Sequence, residues 1–110
     1  MKTYVFDIDG TICTKTKNGS YTDVEPFETR IRMINRLFDQ NNQIIINTAR
    51  GMGRSENNPN VAKSLFYDLT IKQLSNWGVK YHRIFMGKPA GDLYVDDKGI
   101  KDEDFFDSRD

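Results

Sequence analysis

Residues 4–11 read Tyr4-Val5-Phe6-Asp7-Ile8-Asp9-Gly10-Thr11, and the rest of the chain is interpreted around them. A short apolar run of strand-forming residues ends in two aspartates one residue apart, and the Gly-Thr that follows disfavours continuation of the strand. Side chains at alternate positions of an extended segment project to the same side. We therefore predict a buried strand that aims Asp7 and Asp9 at one point in space.

Two carboxylates at one point repel each other unless a cation lies between them or one of them holds a proton. The aspartate pair therefore predicts a metal ion, a proton, or both. The alternative, from these residues alone, is an Asp-Gly turn that ends an ordinary core strand. The residues at the ends of the other strands decide between the two interpretations.

Length and composition indicate one domain over residues 1–110 with a single core. Lys and Arg number 16, as do Asp and Glu, so the net charge of zero does not favour nucleic acid or an anionic membrane as a partner. The first residues show no signal-peptide core, and no apolar run approaches the roughly 20 residues of a membrane helix. We expect a cytoplasmic protein. The single cysteine, Cys13, excludes an internal disulfide and is interpreted as a small apolar filler.

Residues 12–24 follow the aspartates as two β-prone runs on either side of Asn18-Gly19, the strongest short hairpin signal. We predict a small β-hairpin here and call residues 12–24 the flap. Pro26 then opens a helix, whose apolar residues recur every three or four positions at Phe27, Ile31, Ile34, Leu37 and Phe38. The helix is predicted to end near Asn41-Asn42, since Asn suits a left-handed cap. Residues 43–47 then predict a buried parallel strand, which is followed by Thr48-Ala49-Arg50-Gly51.

Residues 51–60 are dense in Gly, Asn and Pro and predict a loop at the same end of the sheet as Asp7. A helix follows to Trp77 and Gly78, with Asn60, Asp68 or Thr70 as its capping residue. Residues 79–86 contain a third predicted strand, which ends in Gly87-Lys88-Pro89. Residues 92–95 predict a short fourth strand that ends in Asp96-Asp97, and the acidic tail predicts one helical turn.

The ends of the predicted strands carry Asp-x-Asp, Thr, Lys and Asp-Asp, and open parallel sheets bind ligands at this edge. A carboxylate that attacks an anionic phosphate monoester needs cations to offset the repulsion. Mg²⁺ held by Asp7, Asp97 and a backbone carbonyl, with Lys88 opposite, would do so, and Thr48 would donate a hydrogen bond. Asp7 would then attack phosphorus, while Asp9 protonates the leaving alcohol and later deprotonates water.

These motifs resemble the four motifs of the haloacid dehalogenase superfamily of phosphohydrolases, in the same order: Asp7-x-Asp9-Gly10-Thr11, Thr48, Lys88 and Asp96-Asp97. The resemblance spans most of the chain. It implies an α/β fold, a minimal Rossmann-like domain with a doubly wound parallel sheet flanked by helices. It also implies that Asp7 is the nucleophile, that Asp9 is the acid/base and lends the metal a carbonyl, and that Asp97 binds the metal with Asp96 behind it. At the second motif this chain departs from the pattern, because Thr-Ala-Arg leads into a loop instead of a helix.

Residues 47–54, 84–89 and 93–98 also resemble a small branch of capsule biosynthesis phosphatases. The space between the motifs holds no cap domain, so we expect the flap and the loop after Thr48 to choose the substrate. The predicted substrate-binding residues are Gly10, Thr11, Ala49, Arg50 and Arg54. Guanidinium groups suit a second phosphate or a carboxylate, whereas the alternative is that both arginines are solvated or pair with Glu56.

We therefore predict a Mg²⁺-dependent phosphomonoester hydrolase that forms an aspartyl-phosphate on a small phosphorylated metabolite. The resemblance suggests a sugar phosphate of capsule or surface polysaccharide synthesis. Two alternatives stay open: a nucleotidase or polynucleotide end phosphatase, and a non-catalytic phosphate-binding or phospho-receiver domain, which would have no need of Asp9. The sequence does not identify the substrate, and it leaves open whether a homo-oligomer completes the pocket.

Overall fold

The computed structural model describes residues 1–108. In this part of the chain three parallel strands form one sheet: β1 (Thr3–Phe6), β2 (Gln43–Thr48) and β3 (Arg83–Met86). Three α-helices accompany them: α1 (Glu28–Asp39), α2 (Pro59–Asn76) and α3 (Asp102–Asp107). The strands lie in the order β1-β2-β3, with Phe6 opposite Ile46 and Thr48 opposite Met86. All three strands therefore end at one edge of the sheet, where the sequence places its polar motifs.

The core lies on one face of the sheet. Alternate strand residues Phe6, Ile44 and Ile46 are buried, and they pack in one cluster with side chains from all three helices, namely Ile31, Ile34, Leu74, Phe105 and Phe106. The intervening residues lie on the other face, where Val5 is 59% and Phe85 45% exposed. The acidic tail forms the predicted helical turn, and its two phenylalanines contact the Phe6 ring at centroid distances of 5.5 and 6.0 Å.

The predicted helix ends are largely confirmed. The residue Asn41 after α1 and the residue Gly78 after α2 both have left-handed backbone angles, with φ of 69° and 72°. The predicted start of α2 is wrong, because the helix begins before any of the three candidate caps. Asn58 accepts hydrogen bonds from the backbone N–H groups of Asn60 and Val61, and Pro59 occupies the first helical position. The capping residue, Asn58, thus lies two residues before Asn60, the earliest of the predicted caps.

The flap has the predicted turn. Asn18 and Gly19 have φ of 56° and 72°, the pair of positive angles that a two-residue hairpin turn requires. Its pairing consists of isolated bridges, at Lys17 with Ser20 and, just beyond its base, at Cys13 with Pro26, where the Thr14 N–H also donates to the Glu25 carbonyl at 2.9 Å. A one-turn 3₁₀ helix, Tyr21–Asp23, interrupts the second arm. The flap is therefore a short, irregular hairpin attached to the exit of β1.

The predicted fourth strand is wrong for the described chain. Residues 91–101 form no helix or strand and are exposed throughout, with Leu93 at 84% and Val95 at 93% exposure. Their polar contacts are local: the Tyr94 hydroxyl donates to the Pro89 carbonyl, and the Asp96 carboxylate accepts from the Lys98 and Gly99 N–H groups. These turns replace ladder pairing, so Asp96 and Asp97 are not carried to the strand ends.

The predicted fold class is confirmed: a small α/β domain with a parallel sheet accompanied by helices, and no cap domain within residues 1–108. Among the described helices, none is long and apolar enough to cross a membrane.

Candidate active site

A tight turn at the end of β1 presents the two aspartates. Ile8 is fully buried between them, and its carbonyl accepts hydrogen bonds from the N–H groups of Thr11 and Ile12. Gly10 has φ of 85°, which an L side chain rarely adopts, and this angle reverses the chain directly after Asp9. Burial of Ile8 therefore fixes Asp7 and Asp9 on the opposite side of the strand exit, as the alternation predicted.

Asp7 lies between a backbone donor and a lysine. Its Oδ1 accepts from the Ile8 N–H at 2.8 Å, and its Oδ2 lies 3.4 Å from Nζ of Lys88. Burial raises the pKa of Asp7 above its ordinary value, and the nearby Asp9 charge adds to this, while Lys88 opposes it. Asp7 is thus a half-buried carboxylate whose negative charge one cation partly compensates.

Lys88 reaches Asp7 because the ends of β2 and β3 are tied together. The Thr48 carbonyl accepts from the N–H groups of both Gly87 and Lys88, each at 3.1 Å. The Lys88 ammonium also lies 4.2 Å from the centroid of the Tyr94 ring. The buried Thr48 hydroxyl accepts from the Arg50 N–H at 3.1 Å and keeps its own proton for another acceptor. The structure therefore brings Asp7, Lys88 and Thr48 to one edge, as the sequence predicted.

Asp9 is held by Arg50, which the sequence assigned to the substrate. Arg50 is 1% exposed, and its Nε and Nη2 each donate to one Asp9 carboxylate oxygen at 3.0 Å. Its Nη1 donates to Oγ1 of Thr70 at 3.2 Å and to Oε1 of Gln73 at 2.5 Å. The substrate-binding prediction for Arg50 is therefore corrected, as is its alternative, because the guanidinium is neither free nor solvated.

Arg54 is also directed to the protein. Its Nη2 donates to the Gly19 carbonyl of the flap, and its guanidinium lies over the rings of Tyr21 and Phe66, at 5.4 and 5.0 Å. The Tyr21 hydroxyl in turn accepts from the Gly51 N–H at 2.9 Å. Neither Arg50 nor Arg54 pairs with Glu56 in the described contacts. Arg54 instead connects the flap to the loop after β2.

The remaining predicted substrate residues are chain neighbours of the site residues Asp9, Thr48 and Arg50. Gly10, Thr11 and Ala49 are half-buried, and the Thr11 carbonyl accepts from Nη1 of Arg30 at 3.2 Å. Cys13 does more than fill space. Burial raises the pKa of its thiol to about 12, so the thiol stays protonated, and Sγ lies 3.4 Å from Oδ1 of Asp9 as a weak donor.

The predicted metal ligands are only partly assembled. Asp7 and Asp9 lie together, whereas Asp96 and Asp97 belong to the exposed segment 91–101. The pKa of Asp96 is lowered by the N–H groups of Lys98 and Gly99, which is typical of a local turn. Within residues 1–108, no three His, Cys, Asp or Glu side chains are grouped so that they could hold a metal ion. Of the predicted metal ligands, only Asp7 and Asp9 at the β1 exit lie together in this arrangement, and Arg50 occupies the Asp9 carboxylate.

Sequence reasoning missed the residues that surround the guanidinium: Cys13, Tyr21, Thr70 and Gln73. A signal existed for two of them. Thr70 and Gln73 are polar, three residues apart and next to the buried Leu74, so they share the inner face of α2. Polar side chains on a buried helical face require partners, and a buried arginine is such a partner.

Comparisons with known proteins support the fold. A Vibrio cholerae protein solved as an MCSG target is 30% identical, covers 96% of this chain and 88% of its own, and superposes with a TM-score of 0.80. A D,D-heptose 1,7-bisphosphate phosphatase from B. bronchiseptica, complexed with magnesium and phosphate, is 20% identical with a TM-score of 0.55. The match covers 84% of this chain and about half, 52%, of that phosphatase. No protein-family model and no curated protein matches the chain.

Proposed function

We propose that this chain, which belongs to the same family as the Vibrio cholerae protein, is a phosphatase that hydrolyses phosphate monoesters through Asp7. One observation carries the proposal. The two aspartates at the β1 exit are each paired with a cation from a different strand end, Asp7 with Lys88 and Asp9 with Arg50. The fold shared with a phosphatase that binds magnesium and phosphate adds support.

In the proposed reaction a carboxylate oxygen of Asp7 attacks phosphorus, and the bond from phosphorus to the ester oxygen breaks. Asp9 donates a proton to the departing alkoxide, which leaves as an alcohol. Asp9 then takes a proton from a water molecule that attacks the same phosphorus, and inorganic phosphate leaves while Asp7 is regenerated. We assign to Lys88 and the Thr48 hydroxyl the stabilisation of negative charge on the phosphoryl oxygens, and the proximity of Lys88 Nζ to Asp7 and the proton that the Thr48 hydroxyl keeps support this role.

We propose Mg²⁺ as the cofactor, since it is the ion present in the heptose bisphosphate phosphatase structure. When bound, it would neutralise charge on the nucleophile and the phosphoryl group. Asp7 and the carbonyl of Asp9 are the ligands that the described arrangement offers. Asp97 is the third proposed ligand, and the exposed segment 91–101 would have to move for Asp97 to reach Asp7 and Asp9.

For the substrate we propose a small phosphorylated metabolite of the sugar phosphate class. Support comes from the named substrate of the heptose bisphosphate phosphatase and from the resemblance to capsule biosynthesis phosphatases. The zero net charge gives no electrostatic reason for a polynucleotide substrate, since such sites carry a basic surface. A nucleotide monophosphate remains the second class to compare.

The test is release of inorganic phosphate from sugar phosphates, sugar bisphosphates, nucleoside monophosphates and 3′-phosphorylated oligonucleotides. Each substrate is measured with Mg²⁺ and with excess EDTA. We expect turnover of sugar phosphates that EDTA abolishes and that Asp7→Asn abolishes with Mg²⁺ present. Normal turnover by the Asp7→Asn variant would overturn the assignment of the nucleophile, and a preference for nucleotides would replace the substrate class.

A further inference from the structure

The contacts of Arg50 divide the two oxygens of Asp9 into different roles. Oδ1 accepts from Nη2 of Arg50 at 3.0 Å and from Sγ of Cys13 at 3.4 Å. Among the described residues, Oδ2 accepts from Nε of Arg50 alone, also at 3.0 Å. A carboxylate oxygen has two lone pairs, so both acceptor positions of Oδ1 face a donor, the thiol being shared with the Ile8 carbonyl at 3.7 Å, while Oδ2 keeps one position open. Only Oδ2 can therefore exchange a proton without breaking an existing contact.

The guanidinium that holds Asp9 is itself fixed on its far side. Thr70 is fully buried and Gln73 half-buried in α2, and both accept from Nη1 of Arg50. The amide of Gln73 also donates to the Tyr21 carbonyl at 2.6 Å, and the Tyr21 ring lies 4.9 Å from the guanidinium carbon. A planar guanidinium bound on both sides has little freedom to rotate. It therefore fixes the orientation of the Asp9 carboxylate.

The position of Arg50 excludes direct contact with substrate. Its side chain has zero exposure, whereas the side chain of Asp9 is 20% exposed. Gly51, the next residue, lies so close beneath α2 that a Cβ would meet the Phe66 ring at 2.6 Å. The backbone therefore turns Arg50 inward and away from the approach to the site.

We propose that Arg50 is a positioning residue for proton transfer: with α2 behind it, it locks the Asp9 carboxylate so that Oδ2 faces the reacting phosphate ester. This inference rests on the proposed phosphatase function. Without the clamp, Asp9 could rotate about its side-chain bonds, and the proton would no longer lie on a defined path to the leaving oxygen. Because Arg50 acts through Asp9, its contribution should disappear when Asp9 cannot carry a proton.

A double-mutant cycle tests this directly. Arg50→Lys keeps the charge but loses the two-point contact, and Asp9→Asn removes proton transfer. Steady-state hydrolysis of β-glycerophosphate, whose alkoxide leaving group needs a proton, is measured for the wild-type protein, both single variants and the double variant. We expect Arg50→Lys to lower kcat at least 10-fold with KM changed less than 3-fold, and to lower kcat less than 2-fold in the Asp9→Asn background.

Two further variants separate positioning from folding. Gln73→Met removes one anchor behind Arg50 and keeps the Arg50–Asp9 contact, so it should give a smaller loss of kcat that also vanishes in the Asp9→Asn background. Arg83→Lys is the matched control, because it makes the same substitution at an exposed position at the start of β3, the edge of the sheet opposite the aspartates. It should leave kcat within 2-fold.

The outcomes are distinct. Equal losses of kcat from Arg50→Lys in the wild-type and Asp9→Asn backgrounds would overturn the positioning role and leave the phosphatase assignment intact. A loss confined to KM would place Arg50 in substrate binding and also overturn it. Absence of phosphate release from any substrate by the wild-type protein would overturn the proposed function, and the positioning role with it.

Discussion

At the scale of single residues, the site places a carboxylate where water solvates it poorly. Burial is the main reason that the pKa of Asp7 is raised, and Lys88 offsets this only in part. The proposed nucleophilic attack requires Asp7 to be ionised, and an ionised Asp7 is a charge whose burial opposes stability. Reactivity and stability therefore make opposite demands on this residue.

The pH dependence of stability follows from that raised pKa. The folded chain binds a proton at Asp7 more tightly than the unfolded chain does, so the resulting stabilisation is complete below the ordinary aspartate pKa of about 3.9 and is lost as pH rises through the raised value. Asn cannot ionise, so the Asp7→Asn variant does not lose stability in this way as pH rises. In EDTA, the unfolding free energy of Asp7→Asn relative to wild type should therefore increase from about pH 4 upward.

Urea unfolding at a series of pH values measures this difference. Asp68→Asn, at an exposed position of α2, controls for the general effect of removing one negative charge. A relative stability of Asp7→Asn that decreases as pH rises would contradict the raised pKa.

A site residue could be predicted when the contacts that place it follow from a short stretch of sequence. Asp7 and Lys88 follow from strand alternation and from the rule that parallel strands end at one edge. The role of Arg50 does not, because a buried guanidinium needs Asp9 on one side and Thr70 and Gln73, 20 and 23 residues later, on the other. No window of sequence contains that set, so Arg50 looked like a loop residue available to substrate.

At the scale of elements, the flap and the loop after β2 are joined through few contacts. Arg54 donates to Gly19 and lies over Tyr21, whose ring meets Phe66 edge-on at 4.8 Å. The flap arms contribute isolated bridges, and at the base of the flap the Thr14 N–H donates to the Glu25 carbonyl at 2.9 Å. Side-chain contacts from Arg54 and Tyr21 therefore add to a short stretch of backbone pairing.

Removing the Arg54 contact should loosen the flap without unfolding the domain. We expect Arg54→Gln to speed amide hydrogen exchange in residues 17–23 and to change the unfolding free energy by about 1 kcal/mol or less, because the residue is exposed. Lys17→Gln, which removes a charge from an exposed side chain of the flap itself, is the control. Unchanged exchange in the flap after Arg54→Gln would show that Tyr21 and the backbone hold it unaided.

The segment 91–101 is the element for which local and long-range preferences conflict. Its apolar residues read as a strand, yet the short turns around Tyr94 and Asp96 satisfy its polar groups locally. Pairing with the sheet would require a partner edge and would break those turns. The structure of this segment depends on the difference between two small free energies, that of pairing with the sheet and that of the local turns. A strand pattern in the sequence does not give that difference.

If Asp97 joins Asp7 at a magnesium ion, the segment must pack against the strand ends when the metal binds. Hydrogen exchange of residues 91–101 should slow on addition of Mg²⁺ and inorganic phosphate, because a packed segment protects its amides. Asp97→Asn should abolish this protection, whereas Asp96→Asn should keep it, since an amide oxygen can still accept from Lys98 and Gly99. Equal protection in wild type and Asp97→Asn would remove Asp97 from the metal site.

At the scale of the whole molecule, the sheet is buried on one face and open on the other. Strand order follows chain order among the three described strands, so α1 and α2 both contribute to the core over Phe6, Ile44 and Ile46. On the opposite face a cavity of about 450 Å³ is lined by residues of all three strands and by Pro59, including Val5, Ile45 and Phe85. That face carries apolar residues that the described chain leaves uncovered.

Two adjacent isoleucines of β2 report on the two faces. Ile46 is fully buried in the core, whereas Ile45 lines the open cavity. Ile46→Ala should lower the unfolding free energy by about 2–5 kcal/mol, the usual loss for a large-to-small core change. Ile45→Ala should lower it by only about 1 kcal/mol, because its side chain stays partly in water in the folded state. The substitution and the strand are identical, so the difference isolates the environment of each face.

Denaturant unfolding at two protein concentrations, 100-fold apart, measures both losses. Equal losses for the two variants would mean that the open face is covered in solution. If the loss for Ile45→Ala grew with concentration, a second copy of the chain would be the cover, because association stabilises the folded state by mass action. If it were large at every concentration, the cover would belong to the same chain, and residues 91–101, with Leu93 and Val95 exposed, would be the first segment to test by substitution.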